Sequence, residues 1–339
     1  MEALLFLIAA SLGSTASAQS ITVNVDPDLA AQAGLDAPTV EADLRDVGRG
    51  DLQLADLSGY MSQMANAAVL STKGMGSDYA TNPQRFVVGG SVGSAVSGAG
   101  VQLGRGGKTV PEGGFAFQVT GMAGVNLGVL ADDDSPLRRF VLTVNGMMLT
   151  TAMDPFDGTL LNAGAHVTTQ LVRPDGRGGL FEWGGLALTT GYEYTSYKLT
   201  LSKAIPIDAG QVQWDATGRY DIRADAGSVP IELSTNVRFT VLTAYLGAAV
   251  DINQGSDAST EISLSGDINA EIDGDNVRLG DATARAGLTG SGDWLTPRGF
   301  VGLQVNILPV KLYGQLNFST DTALTRFGFG GNAGLRFSI

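Results

Sequence analysis

The chain of 339 residues carries 34 acidic against 21 basic side chains, a formal charge of −13, and no cysteine. No basic stripe is present to neutralise phosphates, which argues against nucleic-acid binding. The absence of cysteine excludes disulfides, thiolate metal sites, thiol catalysis and a lipid-modified N-terminal cysteine.

Residues 1–18 read as an export leader: an apolar run from Ala3 to Leu12, then Gly13-Ser14-Thr15 and the small-residue cleavage signal Ala16-Ser17-Ala18. Glu2 stands where such leaders usually carry a basic residue. No later segment holds the 18 or more uninterrupted apolar residues of a transmembrane helix, so any crossing of a membrane falls to strands. Residues 19–83 differ from the rest. Asp36 is placed to cap a helix with Pro38 in its first turn, running to about Val47 before Gly48 and Gly50. A second helix fits Leu54 to about Thr72. Its apolar positions Leu54, Leu57, Met61, Met64, Ala65, Ala68 and Val69 recur at three- and four-residue spacing and form a stripe that needs cover.

From residue 84 a two-residue alternation dominates, the signature of strands with one apolar face. Phe115, Phe117, Val119, Ala123, Val125, Leu127 and Val129 oppose Gln118, Thr120, Gly124, Asn126 and Gly128. The last strand sets Phe327, Phe329, Gly331, Ala333, Leu335, Phe337 and Ile339 against Arg326, Gly328, Gly330, Asn332, Gly334, Arg336 and Ser338. Strands are expected near 84–98, 115–130, 139–152, 160–173, 184–202, 212–238, 242–253, 259–271, 277–289, 298–307, 310–320 and 325–338. About twelve strands is an even count, as membrane barrels prefer, and places both ends of the barrel on one side. The 47 glycines suit sharp turns and the crowded inner face of a closing sheet. The expected fold is all-β: an antiparallel transmembrane β-barrel over residues 84–339, with residues 19–83 as a helical segment that is either free in the periplasm or a plug, the plug being favoured because the barrel interior is the nearest cover for its stripe.

Catalytic constellations are scarce. His166 is the single histidine, on the inward phase among Asn, Thr and Gln, so no enzyme is expected. The acidic run Asp267, Glu271, Asp273, Asp275 and Asp281 lacks the spacing of a calcium loop and reads as a solvated hairpin end. Asp132 to Asp134 reads the same way. Gly104-Arg105-Gly106-Gly107-Lys108-Thr109 fails as a phosphate loop because Gln102 stands at the first glycine position. No metal or cofactor is expected. Charges should point to the lumen, since on the lipid face each costs about 2–4 kcal/mol at the midplane. The lumen-lining candidates are Arg85, Arg139, His166, Glu193, Glu232, Arg238, Asp251, Arg298, Lys311, Arg326 and Arg336. Trp183, Trp294, Tyr192, Tyr194 and Tyr197 are candidates for interfacial aromatic belts.

Leader, paired strands and closing alternation together resemble the outer-membrane β-barrels of diderm bacteria, across residues 84–339. The helical segment ahead of the barrel is similar to that of plugged long-chain fatty-acid transporters, although Asn82-Pro83 is followed by Gln84 where that signature needs Ala. The resemblance implies an outer-membrane location, membrane lipid and barrel-assembly machinery as partners, and a passive channel for a small solute gated by the N-terminal plug. The competing expectation is a surface structural or adhesive barrel with a blocked lumen.

Overall fold

The computed structural model describes residues 20–51, 57–74, 85–98, 113–131, 135–153, 156–173, 180–209, 211–272, 275–307 and 309–338. The expected leader, Asn82-Pro83, Gly104 to Thr109 and Asp132 to Asp134 fall outside them. Twelve strands form one antiparallel sheet. They are β1 (Ser20–Val25), β2 (Phe86–Gly98), β3 (Gly114–Asn126), β4 (Phe140–Met153), β5 (Phe156–Val172) and β6 (Phe181–Ala209), then β7 (Val212–Phe239), β8 (Leu242–Ile272), β9 (Asp275–Ser291), β10 (Leu295–Ile307), β11 (Val310–Thr320) and β12 (Phe327–Ser338). Three helices precede β2: α1 (Pro27–Gln32), α2 (Ala37–Asp51) and α3 (Leu57–Ser71).

The sheet closes on itself. Neighbour by neighbour, the order β8-β10-β11-β12-β2-β3-β4-β5-β6-β7 returns to β8 through the β7–β8 ladder. Ten strands therefore make the ring instead of the expected twelve, and the sheet reaches twelve only because β9 projects beyond the ring and β1, which was not expected, adds to its edge. Strands expected at 242–253 and 259–271 are one continuous strand, β8, whose lower part joins the ring and whose upper part pairs with β9 beyond it. Gly255 sits at the change of partner with a φ of 60°, a conformation that glycine adopts freely, so the chain bends there without ending the strand. The strand expected to end at residue 202 likewise runs on to Ala209, where Ala204, Pro206 and Asp208 pair with Thr217, Asp215 and Gln213 on β7. β1 and α1 were not expected; β1 alternates Ile21, Val23 and Val25 with Ser20, Thr22 and Asn24, but over only six residues.

The two rims of the ring differ. At one, the turn from β7 to β8 is two residues, Thr240-Val241, and β2 begins beside the end of β12, Val87 opposite Ser338. We term this the short rim. At the other, β6 to β9 run on past the ring. β7 has 28 residues, about 90 Å of strand at about 3.3 Å per residue, where roughly 9–11 residues cross a bilayer. This long rim carries its own core: Trp214, Ile262, Leu264, Ile268, Leu279 and Leu288 on the projecting sheet pack against Val40 and Leu44 of α2 and against Val23 of β1. Asp36 caps α2 as expected, accepting from the backbone N–H of Thr39 at 3.2 Å.

Around the ring, outward positions are apolar and open: Val92 is 56% exposed, Leu246 56%, Leu303 56% and Phe329 45%. Inward neighbours such as Gln304, Asn317 and Asn236 are buried to 1% or less. Leu303→Arg should therefore cost about 2–4 kcal/mol through the lipid face, read as a lower folding yield into lipid vesicles than Gln304→Leu gives. One ladder is short: β3 and β4 pair only from Gly121 to Asn126. Above it, β3 carbonyls are taken by side chains, Phe117 O by Tyr197 Oη at 2.6 Å and Val119 O by Asn162 Nδ2 at 2.7 Å.

Candidate functional site: a helix-filled lumen

α3 packs against the inner side of the sheet, touching β2, β3 and β12, then β7 and β8 across the ring order, and also β9 of the projecting sheet. Its 15 residues contain no charged side chain. Met61, Ala65, Ala67, Ala68, Val69 and Leu70 are all buried to 3% or less, so the helix is enclosed all round rather than along one stripe. A ten-stranded ring leaves little width, and both surfaces meet that limit with small residues. Ala65, Ala67 and Ala68 face Ala116, Ala224, Ala226 and Ala258. Gly114 marks the closest approach: a Cβ there would sit 2.1 Å from the backbone of Gln63 and Met64.

Polar groups on the helix are matched by the wall, as burial requires. Ser97 Oγ donates to Gln63 Oε1 at 2.7 Å. Asn66 donates to Asp293 Oδ2 and accepts from the Asp293 backbone N–H, each at 2.8 Å. Ser71 Oγ lies 2.8 Å from Tyr197 Oη, and Thr72 donates to Glu193 at 2.7 Å. Asn332 Nδ2 donates to the carbonyls of Lys73 and Gly74 at 2.5 and 2.7 Å.

Below the helix sits a buried charge network. Lys73 Nζ is 2.6 Å from Glu193 Oε2, 3.0 Å from Ser228 Oγ and 3.6 Å from Asp251 Oδ1. Asp251 accepts from Arg298 Nε at 2.9 Å, and Arg298 also reaches Glu232 and Asn317 at 3.0 Å each. His166 Nε2 approaches Glu193 Oε1 at 3.3 Å. Two cations thus share three carboxylates with side-chain exposures of 0–5%, except Glu232 at 14%. Such a network binds helix and wall together, since each charge is desolvated and depends on its partners.

Of the eleven candidates, His166, Glu193, Asp251, Arg298, Lys311 and Arg336 are buried on the inner side, and Glu232 joins them through Arg298. Arg336 bonds Gln304 and stacks 4.4 Å over the Tyr313 ring. Arg238 lies partly buried near the short rim, 3.9 Å from Glu182. Three need correction. Arg85 and Arg139 are exposed at the short rim, and Arg326 is exposed at the long rim, 3.8 Å from Asp293. Each lies just outside its strand, where the alternation no longer fixes a direction. Tyr197 also differs from its expected belt position, being 7% exposed and turned inward, while Trp183, Tyr192 and Trp294 stand open at 47–55%. Lys73 was missed because it follows the helix, outside any strand period. A lone cation after a charge-free helix was the available signal.

The long rim's polar face is a second surface. A concavity of about 640 Å³ is lined by Lys198, Asp221, Arg223, Glu261 and Arg285 among others. Arg219 Nε, 2.8 Å from Asp221, and the Thr200 hydroxyl hold that carboxyl below its usual range. Among the described residues no acidic or histidine group is arranged to hold a metal ion, and no helix is long and apolar enough to cross a membrane.

A closed, even-numbered antiparallel wall, apolar outward and polar inward, leaves no open sheet edge to lipid except at the β3–β4 seam and is the architecture of outer-membrane β-barrels. The protein is an outer-membrane β-barrel. By sequence it belongs to the Lsa36-like family, whose profile matches residues 29–339. No curated protein matches it. Among solved structures it is similar to the CymD monoaromatic hydrocarbon channel at 9% identity, covering 83% of this chain and 98% of that one, with a TM-score of 0.27. The translocator domain of autotransporter NalP from Neisseria meningitidis matches at 10% identity over 76% and 89%, TM-score 0.31. The outer membrane protease OmpT from Escherichia coli matches at 11% identity over 76% and 97%, TM-score 0.34.

Proposed function

We propose that this protein is a surface-presenting barrel whose lumen is blocked by α3, and that its working surface is the sheet projecting from the long rim. The observation that carries this reading is the burial of the lumen from both sides. Helix residues Met61, Ala65 and Ala68 and the wall residue Thr195 are all at 0% exposure, as are Thr243 and Gln304 nearer the short rim, so among the described residues the helix and the wall cover one another. Short turns mark the periplasmic side of such barrels and long hairpins the outer side, so the projecting sheet faces outward. His166 serves the charge network in this reading, and no enzymatic role is assigned to it.

The second reading is a gated channel for a small solute with α3 as plug. It is favoured by the inner wall, where Gln118 Oε1 and both amide atoms of Asn236 are buried with no hydrogen-bond partner in the structure. Such groups call for water. Planar-bilayer recordings of intact protein and of a deletion of residues 20–73 separate the two. The blocked barrel is silent when intact and conducts only when the helix is removed. Spontaneous openings of the intact protein, abolished when a disulfide ties Ala67→Cys to Ala116→Cys, establish the channel instead.

A further inference from the structure

We infer that the chain is threaded through its own barrel, so that the N-terminal lobe of β1, α1 and α2 is displayed on the outer side while the strands begin on the inner side. The inference rests on the barrel reading above but goes beyond it, since a blocked barrel is equally served by a helix inserted from below.

The placement of named residues carries it. β1 pairs with β9 on the projecting sheet, from Ser20 opposite Arg285 to Val25 opposite Gly280. α1 and α2 are held in the same place, Ala30, Val40 and Leu44 sharing a core with Trp214 and Ile268. α3 then runs inward. Tyr60, near its start, packs on the long-rim core as well as on the lumen core. Gln63 meets Ser97 and Gly114 at the long-rim ends of β2 and β3. Lys73 and Gly74 reach Glu193 and Asn332 inside the ring. The next described strand, β2, starts with Phe86 at the short rim, opposite Val125. A route from Gly74 back over the long rim and down the outside must cover more than the length of β2. Its 13 residues make about 43 Å of strand. Twelve steps of chain from Gly74 to Phe86 span at most about 43 Å fully extended. The link is too short for the detour, and the polypeptide enters by one rim and leaves by the other.

Such a path gives the barrel a task besides closing its pore: it holds its own N-terminal lobe at the cell surface, with α3 as the segment left in the lumen. The Asn66 contacts to Asp293 hold that segment at mid-helix, and the Lys73 network holds it just past its C-terminal end.

The chain has no cysteine, so single-cysteine variants report position without background. Gln32→Cys tests the lobe, Gln211→Cys the β6–β7 hairpin tip and Val241→Cys the short rim; all three positions are exposed. Cells are treated with a membrane-impermeant maleimide before and after lysis, and heat-modifiable gel mobility confirms folding of each variant. Threading predicts that Gln32→Cys labels on intact cells to the same extent as Gln211→Cys, while Val241→Cys labels only after lysis. Labelling of Gln211→Cys but not of Gln32→Cys on intact cells overturns the threading and leaves the barrel reading standing. If no variant labels until lysis, or Val241→Cys alone does, the orientation itself is wrong and both readings fall.

Discussion

Lys73→Met lowers the stability of the folded barrel by about 3–5 kcal/mol, the cost of removing one partner from a buried ion pair. Lys73 is 3% exposed and contacts Glu193, Asp251 and Ser228. Methionine fills its volume but leaves Glu193 with only the Thr72 hydroxyl and His166 near its oxygens. The fold outside the lumen is untouched, because the ladders of the ring do not involve residue 73. The measurement is the urea midpoint of the heat-modifiable form in detergent. The double variant Lys73→Met with Glu193→Gln recovers part of the loss, since the stranded charge is removed together with its partner. A single variant as stable as the parent would show that the helix is held by its apolar contacts alone. The same variant tests function: weakened latching raises bilayer conductance only if α3 is a movable plug.

Much of the wall was legible in the sequence for one physical reason. Each ring strand has lipid on one side and a crowded lumen on the other, so alternation is enforced residue by residue, as at Phe327 to Phe337 on β12. The same logic located Glu193, Asp251 and Arg298 on the inner face. It failed where the two-sided environment ends. Past the ring, β8 keeps alternating, but its inner face meets α2 and β1 instead of a lumen, so period alone does not tell a ring strand from a projecting one. Gly255 read as a loop because the sequence shows a permissive residue and not that the β7–β8 ladder resumes after a register shift there. Short pieces were lost as well. β1 has six residues and owes its existence to the exposed edge of β9, a partner that lies more than 250 positions away in the chain.

The helix shows a subtler limit. Its spacing revealed an apolar stripe and the need for cover, but the residues opposite the stripe, Gln63, Asn66 and Ser71, look like a solvated face. They are matched by Ser97, Asp293 and Tyr197. A polar face satisfied by a polar wall cannot be told from a wet one until the wall is placed.

Arg298→Leu is expected to be the most damaging single change in the lumen, exceeding Lys73→Met. The Arg298 side chain is fully buried and joins three acceptors on three other strands: Asp251 on β8, Glu232 on β7 and Asn317 on β11. Its removal takes a cation from two carboxylates on neighbouring strands, and Lys73 stays 3.6 Å from Asp251. Like charges left close together in a medium of low dielectric repel strongly. The loss should therefore lie at or above the upper end of about 3–5 kcal/mol, read as reduced folding yield into vesicles and a lower urea midpoint. Arg298→Lys restores charge but not the fork that engages Asp251 and Glu232 together, so its midpoint should fall between parent and Leu variant. Neutralising the stranded acids separates the causes. If Arg298→Leu with Asp251→Asn and Glu232→Gln regains most of the stability, uncompensated charge was the defect. If it does not, the defect is the lost cross-strand hydrogen bonds, which would make Arg298 a structural tie between β7, β8 and β11 rather than a counter-charge.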